Sequence, residues 1–267
     1  MMQDPGVALI TGGATGIGLA TARLLLSDGW KVVIADLQRP RGAFASGLAY
    51  IPADVTDPSE LSSAFAEAEA LGYVRAVVAN AGVVEHASPI EEMSLGEWQR
   101  VMAVNATGTF LTMREGMRAM KAHGHGGALV AIASVAGLSG HPNISAYTFS
   151  KGGMVALARA LAIEGAPHRI RANCVAPTAV DTSMTRGQIA RSGLDPAKMD
   201  AKELEGLFAG MNPMPDPVRA ADVAEAVQFL CSEAGRMITG VTLPIDAGRT
   251  TSHWGGAMEA PAPHGSR

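Results

Sequence analysis

The chain has no basic tract, and its net charge is −4 at pH 7. Proteins that hold phosphate backbones need a concentrated Lys/Arg surface, so no nucleic-acid partner is expected. Aromatic residues are 4% of the chain, too few for platforms that stack bases. No apolar run approaches the roughly 20 residues of a membrane span, so no membrane partner is expected either. Met1-Met2-Gln3-Asp4-Pro5 lacks the basic start of a secretory signal. The two cysteines, Cys174 and Cys231, stand alone among apolar residues. They read as buried free thiols of a cytoplasmic protein, not as a disulfide. His123 and His125 have no second cluster of ligands nearby, so no metal is expected. There is no internal repeat and no linker before Ser183.

What is present is a globular chain of 267 residues, 48% apolar and 17% charged. Short apolar runs read as strands: Val7 to Thr11, Lys31 to Asp36, Arg75 to Ala79, Ala128 to Ala133, Ile170 to Ala176 and Val241 to Asp246. Tyr50-Ile51 reads as one more. Between them lie helical patterns at Ile17 to Ser27, Ser59 to Leu71, Leu95 to Lys121, Ala146 to Glu164 and Ala220 to Ser232. This alternation predicts a single α/β domain over 1–250. The fold class is a doubly wound, Rossmann-type, mostly parallel sheet of about seven strands with helices on both faces. Pro244 cannot donate to a ladder, which puts the last strand at an edge. Asp36 to Tyr50 is too short for a crossover helix. Residues 251–267 read as a tail with little periodicity.

Tyr147 and Lys151 sit four residues apart at the start of a helix, hence on one face. A phenol is a poor acid–base group at neutral pH, with a reference pKa of about 10. A nearby cation favours the phenolate. Ser134, at the end of an apolar run, adds a hydroxyl. Together they suit proton transfer on a substrate hydroxyl. Thr11-Gly-Gly-Ala-Thr-Gly-Ile-Gly18 joins the first strand to the first helix. Glycines there allow a tight turn and close approach of backbone N–H groups to a phosphate, reinforced by the helix N-terminus. No Gly-Lys-Ser/Thr follows, so this is not a P-loop. Asp36 ends the second strand, where a carboxylate holds ribose hydroxyls and repels a 2′-phosphate. That argues for NAD over NADP, with Arg39 and Arg41 as possible counterweights. His141, before Pro142, reads as a solvated loop histidine.

In this order the motifs resemble those of the classical short-chain dehydrogenase/reductase family, from Val7 to Gly248. Gly12, Thr15, Gly16, Ile17 and Gly18 resemble its T-G-x-x-x-G-x-G cofactor turn. Asn80-Ala81-Gly82 resembles its N-A-G motif, Asn105 its helix asparagine, and Ser134, Tyr147 and Lys151 its S…Y-x-x-x-K. The resemblance implies Tyr147 as general acid/base and Ser134 as the group polarising the substrate oxygen. It implies Lys151 on the nicotinamide ribose, lowering the Tyr147 pKa, and Asn105 holding a relay water. Asp54, followed by Val55, resembles the adenine-binding pair, and Asn80 would pack beside the adenosine. Val180 and Thr182 would hold the carboxamide, beside Pro177. Thr178 departs from the family's usual glycine.

The implied activity is hydride transfer between nicotinamide and a secondary alcohol or ketone, by a homo-oligomer (tetramer or dimer). The alternatives are an NAD-binding scaffold without turnover and an epimerase or dehydratase that recycles its cofactor. The intact Ser134, Tyr147 and Lys151 argue against the scaffold. The 183–217 segment starts at the mouth of the site and reads as a mobile lid. Gly187, Gly193, Gly206 and Gly210 would serve as hinges. Met184, Ile189, Leu194, Leu204, Leu207, Phe208 and Met211 would cover a hydrophobic substrate, and Asp200 to Gly210 would form a short amphipathic helix.

Overall fold

Strand and helix alternate along the chain in a computed structural model, which describes residues 5–42, 46–191 and 193–251. The strands are β1 (Val7–Thr11), β2 (Lys31–Asp36), β3 (Leu48–Pro52), β4 (Val74–Ala79), β5 (Gly127–Ile132), β6 (Ile170–Pro177) and β7 (Thr242–Ile245). They form one sheet in the order β3-β2-β1-β4-β5-β6-β7. Every pairing is parallel, where a mostly parallel sheet was expected. The helices are α1 (Gly16–Ser27), α2 (Pro58–Leu71), α3 (Leu95–Val101), α4 (Thr109–His123), α5 (Ser145–Gly165), α6 (Ser183–Arg191), α7 (Ala201–Ala209) and α8 (Ala220–Cys231).

Period-two alternation makes the sheet two-faced. Val7 and Leu9 of β1 pack into one core with Phe65, Met113 and Met154 of α2, α4 and α5. Ala8 and Ile10 pack into the other with Leu25 of α1 and Val227 of α8. Full burial of each such Val, Leu or Phe side chain contributes about 1.5–3 kcal/mol. The strand order reverses between β1 and β4, which opens a crevice at the carboxyl ends of the strands. β7 lies at the sheet edge, where the missing Pro244 N–H costs no ladder bond. Local signals set the helix ends. Asp57 accepts the N–H groups of Ser59 and Glu60 at the start of α2, with Pro58 in the first position.

The helical region expected as one piece over Leu95 to Lys121 is broken. A π turn, Met102–Gly108, separates α3 from α4. The wider turn accompanies two close fits. Asn105 is fully buried, and a Cβ on Gly108 would lie 2.7 Å from Val55 Cγ2. Apolar periodicity carries no signal for such a single-turn change.

The 183–217 segment holds α6 and α7, the latter with a capping box between Asp200 and Glu203. Ile189, Leu204 and Phe208 form a small core of their own, with Met199, Leu207 and Met211 against it. Their apolar surface faces inward, so these residues do not line the cleft, whereas Met184 does, as expected. Gly187 and Gly206 lie inside helices, and Gly210 caps α7 in a right-handed conformation. Of the four expected hinges, Gly193 alone has a positive φ, 94°. Asp246 accepts the N–H groups of Gly248 and Thr250 just before the turn Arg249–Thr251. The expectation for residues 252–267 lies outside the described residues.

Candidate active site

The carboxyl ends of the strands open into one cleft of about 700 Å³. Gly12, Thr15, Gly16, Ile17, Asp36, Asp54, Val55, Asn80, Ala81, Gly82, Ser134, Tyr147, Lys151, Pro177, Val180 and Thr182 all line it. Gly18 and Asn105 do not.

At one end is the glycine turn. Gly12 has φ 65°, and a Cβ there would sit 2.7 Å from Ala81 Cα. A Cβ on Gly18 would lie 2.4 Å from the Gly12 carbonyl oxygen. Gly18 therefore lets α1 close on the turn and does not face the cleft. The Asn80 amide donates to the Thr11 and Gly12 carbonyls at 3.2 and 2.6 Å, stapling β4 to the turn. Thr15, before α1, makes no side-chain cap, so the first N–H groups of α1 are left for an outside acceptor. The Asp36 carboxylate accepts the N–H groups of Ala14 and Gln38, each at 2.9 Å. Arg39 lies over the Tyr50 ring, 5.8 Å from its centroid. Asp54 Oδ1 accepts the Thr56 N–H and hydroxyl, each at 2.8 Å.

At the other end are Ser134, Tyr147 and Lys151. Ser134 follows β5 in extended backbone, and its Oγ accepts the Ala136 N–H at 3.1 Å. Tyr147 is half-buried and lines the cleft together with Ser134. Lys151 Nζ donates to the Ile132 carbonyl at 2.7 Å and lies 5.5 Å from the Tyr147 ring centroid. Burial lowers the Lys151 pKa to about 8. The Tyr147 pKa is raised, first by burial and also by Glu85, against a lowering hydrogen bond from Ser134. The expectation of a depressed phenol is thus reversed here. Desolvation of the phenolate outweighs a lysine that is itself desolvated and turned to a backbone carbonyl.

Asn105 supports this wall from behind. Its amide exchanges two hydrogen bonds with the Val83 backbone, each 2.8 Å, and donates to Ser150 Oγ at 3.0 Å. Ser150 in turn donates to the Tyr147 carbonyl at 2.7 Å. Thr178 lines the cleft and donates to Asn212 Oδ1 at 3.2 Å, so its hydroxyl is committed to the 183–217 segment. His141 is not among the lining residues; burial and the nearby Arg249 lower its pKa.

Sequence reasoning missed Val83, Val84, His86, Arg100 and Val104 as lining residues. It also missed Glu85, whose carboxylate accepts the Tyr147 N–H. No spacing marks these positions, since the fold alone brings the loop after β4 together with Arg100 of α3 and Val104 of the π turn. Both ring nitrogens of His123 are engaged, by the Val74 carbonyl and the His125 N–H. Among the described residues no group of His, Cys, Asp or Glu is placed to hold a metal, and no helix is long and apolar enough to cross a membrane.

A parallel sheet with a glycine turn and a strand-end carboxylate facing a Ser–Tyr–Lys set defines a dinucleotide-dependent oxidoreductase. The comparisons narrow the class. The profile of the family described as enoyl-(acyl carrier protein) reductase matches residues 12–250. The cis-4-hydroxycyclohexanecarboxylate dehydrogenase of Sinomonas cyclohexanicum is 34% identical, over 91% of this chain and 96% of its own. The (−)-isopiperitenol/(−)-carveol dehydrogenase of Mentha piperita is 35% identical, over 91% and 92%. The crystal structure of a 3-ketoacyl-(acyl-carrier-protein) reductase from Brucella melitensis, complexed with NADH, superposes with a TM-score of 0.82 at 30% identity. That match covers 92% of this chain and 99% of the other. The chain belongs to the short-chain dehydrogenase/reductase family. It is an oxidoreductase acting on alcohols or ketones with a nicotinamide cofactor.

Proposed function

We propose that this enzyme is an NAD(H)-dependent dehydrogenase/reductase of secondary alcohols with a hydrophobic, ring-sized body, and that Tyr147 is its general acid/base. One observation carries the reading: Ser134, Tyr147 and Lys151 line the same cleft as the glycine turn and Asp36, with Lys151 Nζ 5.5 Å from the Tyr147 ring centroid.

The residues present fit a dinucleotide. The uncapped start of α1 suits a diphosphate. Asp36 suits the adenosine ribose hydroxyls, and its charge disfavours a 2′-phosphate. Asp54, Val55 and Asn80 lie where an adenine would rest, with Ala81 and Gly82 continuing the same wall. Pro177, Val180 and Thr182 lie across the cleft for the carboxamide. When bound, the nicotinamide supplies or accepts the hydride. Tyr147 gives or takes the proton at the substrate oxygen, and Ser134 holds that oxygen. Lys151 holds the nicotinamide ribose and offsets charge on the phenol. The three bonds of Asn105 fix the wall through Ser150, and its proposed relay water would have to use its backbone carbonyl. Val83, Val84, Val104 and Met184 give the substrate end an apolar lining. The cyclic alcohols in the names of the two relatives agree with that lining.

Exposed Phe110, Phe149 and Ile163 on α4 and α5 suit a homo-oligomer, dimer or tetramer. The buried free thiols suit the cytoplasm. The test is a panel of cyclic and acyclic secondary alcohols and ketones, read as net NADH and NADPH absorbance. Tyr147→Phe should lower kcat at least about 100-fold and leave the NAD Kd within about threefold. Product without net NADH would sink the dehydrogenase reading in favour of a cofactor-recycling isomerase or dehydratase.

A further inference from the structure

Glu85 is a carboxylate withdrawn almost wholly from solvent, at 1% exposure. It belongs to no helix or strand, and none of the ion pairs among the described residues includes it. Burying such a group is unfavourable unless something specific compensates. Here the compensation is the start of α5. The residue before that helix, Ile144, offers no side-chain acceptor. Glu85 takes its place from the loop after β4, accepting the Tyr147 N–H with Oε1 at 3.0 Å and Oε2 at 3.1 Å. The positive end of a 21-residue helix favours a negative charge there.

The loop that carries Glu85 is fixed on both sides. Val83 exchanges its two bonds with Asn105. Arg100 donates to the Val84 carbonyl at 2.9 Å, and the Ser88 N–H donates to the Asn143 carbonyl at 3.0 Å. A neutral amide would satisfy one N–H equally well. The charge exceeds what that one hydrogen bond needs, and it lies at the backbone N–H of the residue that carries the phenol.

We infer that Glu85 is a positioning residue for Tyr147: it clamps the first turn of the helix that carries the phenol, and its charge opposes that of Lys151 so that the phenol rests in its proton-donating form. The inference rests on the reading of Tyr147 as the acid/base group. A negative charge disfavours phenolate, and burial acts in the same direction and more strongly. The other titratable groups around the pair are Lys151 on α5, Arg100 of α3 with its partner Glu97, His86 beside Glu85, and Cys174 of β6. Burial pushes the Cys174 thiol up to about 12, which leaves it neutral.

Glu85→Gln keeps an acceptor and removes the charge; Glu85→Ala removes both. The readouts are the pH–rate profile of ketone reduction and the phenol titration of the cofactor-free protein by near-ultraviolet absorbance. Tyr147→Phe serves as the blank, since the chain has three tyrosines. In Glu85→Gln the alkaline limb and the phenol titration should both move down by about half a pH unit or more, with kcat within about tenfold of wild type. Glu85→Ala should show the same shift with a further loss of kcat and little change in NAD affinity. An unmoved titration in soluble Glu85→Gln overturns the inference, leaving Glu85 a plain helix cap. If Glu85→Ala does not fold, the Gln variant decides alone. If wild type reduces no ketone, the functional reading fails, while the phenol titration still tests the coupling.

Discussion

Asp36→Ser tests the cofactor end of the cleft. The wild-type carboxylate is held by the N–H groups of Ala14 and Gln38, so it cannot swing away from an incoming phosphate without giving up both bonds. A 2′-phosphate about 6 Å away, at an effective dielectric of about 20, meets about 2–3 kcal/mol of repulsion per unit charge. Removing the carboxylate returns that energy to NADP. It also takes one charged acceptor from the NAD ribose, a loss of about 1–2 kcal/mol. The two effects move the NAD/NADP ratio of kcat/KM in the same direction, by at least about 150-fold in total. The assay is steady-state turnover of one alcohol with each cofactor in both proteins. Thermal melting serves as the control, because the serine gives up the Ala14 bond, worth about 1 kcal/mol. A wild-type preference for NADP, or a ratio that moves less than about threefold, refutes the reasoning. Arg39, now over the Tyr50 ring, would then be the group that meets the phosphate.

Gly18→Ala places a Cβ 2.4 Å from the Gly12 oxygen and 2.5 Å from Asn80 Nδ2. The turn must spread, so the NAD Kd measured by fluorescence titration should rise at least about tenfold. An unchanged Kd would show that α1 can retreat freely. Phe208→Ala empties the core of the 183–217 segment, where Phe208 is 2% exposed. The truncation costs about 3–4 kcal/mol locally. Limited proteolysis within 183–217 should quicken and substrate KM should rise, with NAD affinity nearly unchanged. Proteolysis as slow as in wild type would show that the segment draws its order from elsewhere.

The sheet was legible because its strands are short apolar runs that the period-two rule sorts onto two faces, and because Pro244 has one comfortable place, an edge. The cleft lining was legible wherever a residue type is tied to a spacing, as in the glycine turn or the Tyr147–Lys151 pair. Three things were not. The π turn at Met102–Gly108 changes hydrogen bonding without changing the apolar pattern. Met184 lines the cleft as expected, but Ile189, Leu204, Leu207, Phe208 and Met211 announce burial without its partner, which proved to be their own small core. Glu85 is a lone acid in an irregular loop, and only the fold brings it to the Tyr147 N–H. The direction of the Tyr147 shift failed for a related reason: adjacency in sequence predicts the cation, while enclosure is a property of the assembled cleft.

That enclosure acts on Lys151 as well, and it makes the site a cost to the fold. Lys151 is 3% exposed, and burial lowers its pKa from 10.5 to about 8. A lysine with a depressed folded-state pKa destabilises the protein wherever both states are protonated. Below pH 8 the burial penalty stands in full, about 3 kcal/mol at 1.36 kcal/mol per unit. Between about pH 8 and 10.5 the folded state sheds the proton first, so stability rises with pH through that window. Lys151→Met removes the charge and keeps the stem, beside a Met154 thioether already 3.7 Å from Nζ. It leaves the Ile132 carbonyl without its 2.7 Å partner, a loss of about 1 kcal/mol. The net effect at neutral pH is a gain of about 1–2 kcal/mol, or a rise in Tm of about 2–8 °C for a chain of this size. The variant should melt higher than wild type without cofactor at about pH 7, and the gap should close by about pH 9.5. It should also bind NAD more weakly and turn over no alcohol, because the ammonium that burdens the fold is the group proposed above for the nicotinamide ribose. A variant that melts lower than wild type at both pH values would show that the Ile132 bond outweighs the desolvation of the ammonium, and that the cleft is no burden on the fold.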